Sequence, residues 1–178
     1  MSAVTNESTE ASLHDSGIGE YMAFTLGVEE YAVEILRVRE IRGWEAVTRI
    51  PNAPSYVKGV LNLRGTIVPV IDLRQRLGMP FRPYKKETVV IILRAVNGNL
   101  EKNIGVAVDS ISGVLSAAGE DIQMAPDFGA RLNTDIISGL ATDEGKMVML
   151  LDVDKLLCFS HADAKAENNS SQALFESK

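Results

Sequence analysis

The side chains able to carry acid–base, nucleophilic or metal chemistry are few, and they are badly placed for it. The two histidines, His14 and His161, both fall in polar end segments, so no imidazole is expected inside the fold as a general base or a metal ligand. The single cysteine, Cys158, has no second thiol with which to form a disulfide, a zinc site or an iron–sulfur site. Set within Leu156-Leu157-Cys158-Phe159, it reads as a buried structural thiol rather than a reactive one. Adjacent carboxylates at Glu29-Glu30 and Glu120-Asp121 have the chemistry of a general acid and base, but both pairs stand in turn-like polar sequence, where solvated carboxylates are the default. Neither GxxxxGK nor GxGxxG occurs, Gly17-Ile18-Gly19 is isolated in the N-terminal tail, and nucleophile elbows and kinase signatures are missing. No catalytic residue, cofactor or metal ion is therefore expected. A chain of this kind works by presenting surfaces.

The charged side chain best placed to touch another molecule is Arg64. It lies in residues 56–78, YVKGVLNLRGTIVPVIDLRQRLG, where two apolar runs flank Arg64-Gly65 and a short polar segment follows. This pattern predicts a β-hairpin leading into a helical turn. Gly65 supplies the positive φ of a two-residue loop, and Val60, Leu61, Leu63, Ile67, Val68, Val70 and Ile71 supply strand-forming side chains. Apolar residues fill both parities of the second strand, which predicts burial of both its faces. Pro69 cannot donate to a ladder, which places that strand at an edge or a bulge. Arg64 at the tip is either an ordinary solvated turn residue or a contact residue; spacing leaves both open.

The 178 residues, 46% hydrophobic and 24% charged, suit a globular protein with a real core, built as one domain or two small lobes. There is no run of eighteen apolar residues, and the N-terminus lacks a signal peptide's basic start and apolar core, so a cytoplasmic protein with no direct membrane insertion is expected. Of the net charge of −6, most lies in the first twenty residues, which hold Glu7, Glu10, Asp15 and Glu20 and no Lys or Arg. Residues 21–160 are close to neutral and carry no basic stripe with interleaved aromatics, so nucleic-acid binding has no support. The composition predicts a disordered acidic extension over 1–19, an ordered domain over 20–159, and a disordered or partly helical tail over 160–178.

Along the ordered part, Tyr21-Met22-Ala23-Phe24-Thr25-Leu26, a Gly-Val-Glu-Glu turn and Tyr31-Ala32-Val33-Glu34-Ile35 read as a hairpin. A short helical turn passing into a strand near Arg39 follows, then a loop through Pro51 and Pro54. From Thr88 the same grammar begins again. Thr88-Val89-Val90-Ile91-Ile92-Leu93 reads as a buried strand, Asn97-Gly98-Asn99 as a turn, and residues 104–109 as a return strand extended by Ile111-Ser112-Gly113-Val114-Leu115. At an offset of 80 residues Gly59 matches Gly139, Val60 Leu140, Gly65 Gly145, Val68 Val148, Ile71 Leu151, Asp72 Asp152 and Leu77 Leu157. The order strand, hairpin, strand, proline loop, hairpin, Asp-led helical turn occurs twice, which predicts two related β-lobes of about five strands sharing an apolar interface. Whether they exchange strands is open at this level. Asp72 and Asp152 each close a strand and open a helical segment, where a carboxylate caps free N–H groups.

Several of these segments together resemble the CheW family of chemotaxis coupling proteins. The likeness rests on Ile35-Leu36-Arg37-Val38-Arg39-Glu40-Ile41-Arg42-Gly43, Arg49-Ile50-Pro51, Lys58-Gly59-Val60-Leu61-Asn62-Leu63-Arg64-Gly65 and Ile67-Val68-Pro69-Val70-Ile71-Asp72-Leu73-Arg74, with Val108-Asp109-Ser110-Ile111 and Val114-Leu115 from the second half. The Asn-Leu-Arg-Gly motif followed by the Pro-containing strand and Asp-Leu-Arg is its specific part. The resemblance implies a mainly β protein of two intertwined five-stranded SH3-like barrel lobes with short helical segments and no catalysis. It implies an adaptor between the cytoplasmic tips of chemoreceptors and a CheA-type histidine kinase, recruited to receptor arrays at the membrane. Val38, Glu40, Ile41, Gly59, Arg64, Ile111 and Val114 fall at positions the resemblance associates with receptor or kinase contact. From the residues alone, Ile111 and Val114 fit a core position equally well. A coupler for another receptor-kinase pathway, such as one for pilus motility, and a small-molecule-binding β-barrel are the competing expectations.

Overall fold

The computed structural model describes residues 17–126 and 134–156; Cys158 and the Leu77–Leu157 match lie outside them. The alternating and doubly apolar runs form ten strands: β1 (Ile18–Leu26), β2 (Glu29–Glu34), β3 (Val38–Gly43), β4 (Val57–Leu63), β5 (Thr66–Asp72), β6 (Val89–Asn97), β7 (Leu100–Val108), β8 (Ser110–Ala118), β9 (Ile137–Asp143) and β10 (Lys146–Leu151). Two one-turn helices, α1 (Leu73–Arg76) and α2 (Val153–Leu156), follow β5 and β10. The first strand begins at Ile18, two residues inside the segment read as an extension, because its start is held in register against β8 by the Ile18–Ala118 pair.

Each half of the chain supplies a hairpin, a single strand, a second hairpin and a helical turn, and the two halves exchange strands. One sheet has the order β8-β1-β2-β10-β9 (lobe A), and the other β3-β6-β7-β5-β4 (lobe B). Lobe A thus takes its first hairpin from the first half and three strands from the second; lobe B does the reverse. The chain crosses between lobes at a 3-10 turn, Ile35–Arg37, and again at Asp109. The expectation that residues 111–115 extend the return strand is therefore corrected: β7 ends at Val108 and β8 belongs to the other sheet. The Asp109 N–H donates to the Thr25 carbonyl (3.1 Å), and the Thr25 and Ser110 hydroxyls are 2.7 Å apart, which draws β8 onto β1.

Pro69 also departs from expectation, since β5 is an inner strand between β7 and β4. Its parallel ladder with β7 runs only over Val70, Ile71 and Asp72, so Pro69 stands outside it. The first turn is tighter than the sequence suggested: Gly27 and Val28 alone form it, and Glu29 and Glu30 are already in β2.

Three apolar clusters explain why strands such as β5 are apolar on both faces. Val68 and Val70 fill the interior of lobe B with Leu61, Val90, Ile92 and Ala107. Ala23, Ala32, Leu115, Ala141, Val148 and Leu150 fill lobe A. Between the lobes lies a third cluster built from larger side chains, among them Phe24, Leu26, Tyr31, Ile71, Leu73, Ile91, Leu93, Leu151 and Leu156. A lobe of five short strands buries too little apolar surface to stand alone, and the shared cluster makes up the deficit. Each barrel is brought towards closure by one loop residue outside the strands: Thr48 bridges to Val60 of β4, and Gln123 to Leu140 of β9.

Candidate functional site

The seven contact positions inferred from the sequence fall at two places related by the internal repeat. In lobe B, β3 and β4 are the two edge strands, and the seam between them is flanked by Val38, Glu40 and Ile41 on β3, Gly59 on β4 and Arg64 in the turn that follows β4. The β4–β5 loop is a two-residue turn in which both Arg64 (φ 51) and Gly65 (φ 88) are left-handed, the geometry of a type I′ hairpin. Asn62 supports it by accepting the Gly65 N–H at Oδ1 (2.8 Å). Arg64 is held out from the tip, 84% exposed, and its Nη2 lies 3.2 Å from Glu40 Oε2 on β3. The pair spans the seam. An exposed pair of this kind contributes little stability and holds a donor-rich and an acceptor-rich group side by side at the surface.

Gly59 is buried, and its close neighbour is the chain's own backbone. A side chain there would place Cβ 2.1 Å from the Thr48 carbonyl oxygen. Thr48 and Val60 exchange two backbone hydrogen bonds at this point (3.1 and 2.8 Å), so Gly59 allows the seam to close. Val38 is half-buried against the inter-lobe cluster, and Ile41 is exposed.

In lobe A the corresponding strand is β8, which carries Ile111 and Val114. Both β3 and β8 have one residue inserted in their pairing, at Arg39 between Val38 and Glu40 and at Ser112 between Ile111 and Gly113. Aligning the two bulges makes Ile111 the counterpart of Val38 and Val114 the counterpart of Ile41. Ile111 packs against the inter-lobe cluster, whereas Val114 is 55% exposed. Gly113 stands where lobe B has Glu40, and Glu144 (φ 47) stands where it has Arg64. A recess of about 180 Å³ opens there, lined by Glu30, Ser112, Val114, Glu144 and Lys146 among others. The structure therefore brings Glu40 to Arg64 and Gly59 to Thr48, and places Ile111 and Val114 on the other lobe.

The carboxylates that sequence reading set aside do structural duties. Asp72 Oδ1 accepts the Gln75 N–H and Asp152 Oδ1 the Lys155 N–H, each at 3.1 Å, at the starts of α1 and α2. Asp72 is almost fully buried and also receives the Tyr84 hydroxyl at 2.7 Å. Burial and this hydrogen bond raise the Tyr84 phenol well above its ordinary value. Glu29 accepts the Tyr31 hydroxyl (2.7 Å), and Glu120-Asp121 lie in a 3-10 turn. Among the described residues, no group of three or more His, Cys, Asp or Glu is gathered to hold a metal ion, and no helix is long and apolar enough to cross a membrane.

Sequence reading missed an aromatic group on lobe B. Trp44 stacks on Tyr84 with ring centroids 3.7 Å apart, Phe81 meets Tyr84 edge-on, and Lys58 Nζ lies 4.9 Å from the Phe81 ring centre. No periodicity links residues 44, 58, 81 and 84, and only the fold assembles them. It also missed Ile67 and Met147, both about 60% exposed, although their offset of 80 residues was a legible signal.

Residues 20–159 match a family model described as a CheW-like domain. The chain is 46% identical over 138 residues to the chemotaxis protein CheW of Klebsiella aerogenes, covering 78% of this chain and 81% of that one. It is 36% identical over 149 residues to the chemotaxis protein CheW of Rhizobium meliloti, covering 83% and 94%. Its fold is similar to the crystal structure of the scaffolding protein TtCheW from Thermoanaerobacter tengcongensis, with a TM-score of 0.72 and 28% identity over 81% of this chain and 95% of that one.

Proposed function

We propose that this chain, which belongs to the CheW-like family of chemotaxis proteins, is a non-catalytic adaptor that couples chemoreceptors to a CheA-type histidine kinase. The observation that carries this reading is family membership joined to an exposed hairpin tip, Arg64, ion-paired to Glu40 on an edge strand. Edge strands with free backbone groups and scattered exposed apolar residues suit partner docking. On this reading Glu40, Ile41 and Arg64 serve one face and Val114 another, with Val38 and Ile111 supporting these faces from the inter-lobe cluster and Gly59 keeping the first face in shape. Both barrel interiors are filled by side chains, which weighs against a small-molecule-binding barrel. The contacts are individually weak, about micromolar, and an array of many copies supplies the rest through multivalency. The protein works in the cytoplasm, at the membrane only through its receptors.

The test is phosphate incorporation into a CheA-type kinase from the same cell, in receptor-containing membranes, with and without this protein. The expected result is a large rise that a receptor ligand suppresses. No change with a folded protein and an active kinase overturns the reading.

A further inference from the structure

The shared apolar cluster joins the lobes through a driving force that is itself non-directional. Directional contacts are found at the two crossovers. At the first crossover, Arg37 makes a two-pronged pair with Asp154 of α2, Nη1 to Oδ1 at 3.1 Å and Nη2 to Oδ2 at 2.9 Å. Asp154 Oδ1 also accepts the Val96 N–H of the β6–β7 hairpin at 2.9 Å. One carboxylate thus ties the helix of lobe A to the crossover and to a hairpin of lobe B.

At the second crossover the same three-part contact recurs with its charges reversed. Here the crossover residue is the acid, Asp109, and the helix residue is the base, Arg74 of α1, with Nη2 2.5 Å from Asp109 Oδ2. Asp109 Oδ2 also accepts the Gly27 N–H, in the β1–β2 turn, at 2.7 Å. Arg74 and Asp154 are separated by the repeat offset of 80 residues, so one helix position carries opposite charges in the two halves, each met by an opposite charge at the neighbouring crossover. Arg74 is nearly buried. Burial acts to raise the Asp109 carboxyl, but the hydrogen bonds from Arg74 and Gly27, with the charges of Arg74 and Arg82, outweigh it and hold the group below the usual carboxylate range.

We propose that Arg37–Asp154 and Arg74–Asp109 are a pair of inter-lobe clamps, positioning residues that set the angle between the lobes and so the relation between the docking faces each lobe presents. The two-pronged Arg37–Asp154 pair is specific in direction as well as attractive, and removing one partner of Arg74–Asp109 leaves the nearly buried Arg74 charge uncompensated. The inference rests on the adaptor reading only where it speaks of docking. The clamps themselves are a statement about the fold.

The test exploits the charge reversal. Arg37→Asp sets two carboxylates against each other, whereas Arg37→Asp with Asp154→Arg rebuilds the first clamp in the polarity of the second. Lobe orientation is read from residual dipolar couplings of the labelled full chain, hydrogen exchange from the Val96 amide, and function from the kinase assay. In the single variant, Val96 exchange is expected to quicken roughly tenfold or more, as for loss of one charge-assisted hydrogen bond. The alignment tensors of the two lobes should diverge and kinase stimulation should fall; the double variant restores the tensors and the stimulation. Asp154→Asn, which keeps the side-chain volume, serves if Arg37→Asp fails to fold, with the same expected direction. Unchanged tensors in the single or Asn variant, or no rescue in the double, overturn the clamps. A wild-type chain that fails to stimulate the kinase condemns the adaptor reading alone, because tensors and exchange are still measured. A variant whose tensors diverge while stimulation stays at the wild-type level overturns the positioning role.

Discussion

Gly59→Ala offers the sharpest test of how the lobe B seam is held. A Cβ at this position falls 2.1 Å from the carbonyl oxygen and 2.7 Å from the carbonyl carbon of Thr48, both backbone atoms that cannot rotate away. The φ of +149 adds a backbone conformation that alanine rarely adopts. Relief requires Thr48 to move off β4, which stretches the two hydrogen bonds it exchanges with Val60. Two such bonds at about 1 kcal/mol each, with about 1 kcal/mol of backbone strain, give a loss of about 3 kcal/mol. For a domain of this size that lowers Tm by roughly 6–12 °C. Gly65→Ala is the matched control: φ is +88 but nothing lies within 4 Å of the new Cβ, so only the left-handed conformation is charged, about 1 kcal/mol. Urea denaturation of both variants ranks them. A Gly59→Ala protein within about 1 kcal/mol of wild type, or no less stable than Gly65→Ala, refutes the close approach and the account of the seam built on it.

Arg64→Ala is expected to change stability by no more than about 0.5 kcal/mol, since the side chain is solvent-facing and its pair with Glu40 exposed, while kinase stimulation falls; a large drop in melting temperature sinks the surface assignment. Asp109 has a folded pKa below its unfolded value, so its contribution is present at neutral pH and is lost as pH falls below about 4 and on through the folded pKa. Urea midpoints taken from pH 6 down to pH 2.5 should therefore fall more steeply for wild type than for Asp109→Asn, and parallel curves refute the depressed carboxyl. Tyr84→Phe leaves the nearly buried Asp72 carboxylate short of one donor and is expected to cost about 1.5–3 kcal/mol; a neutral result in thermal melts shows that this hydroxyl matters little.

The parts of this fold that were legible are those written in adjacent residues. Turn chemistry at Arg64-Gly65, apolar runs on both parities of β5, and the Asp72 and Asp152 caps are local, and the offset of 80 residues revealed the repeat. Strand exchange was not legible. A single residue, Asp109, turns the chain from one sheet to the other, and nothing in the apolar pattern of residues 104–115 marks it. The charged pairs across the lobes were equally hidden, because Arg37 and Asp154 lie 117 residues apart and Arg74 and Asp109 lie 35 apart. Thr48 closes a barrel from a loop that has no strand pattern at all. Pro69 misled for a related reason: proline forbids one donated bond, and which bonds β5 needs depends on where β7 stops pairing.

The exchange of strands also orders the birth of the molecule on the ribosome. Every strand of lobe B lies between Val38 and Val108, so that lobe is complete once the middle of the chain has emerged. Lobe A is split: β1 and β2 are made first, yet their partners β8, β9 and β10 come at the end. At ordinary translation speeds the first hairpin waits roughly ten seconds for β10, with Ala23 and Ala32 lacking their final neighbours. Lobe B, formed in the interval, offers the apolar face on which that early hairpin can rest until its own sheet is delivered.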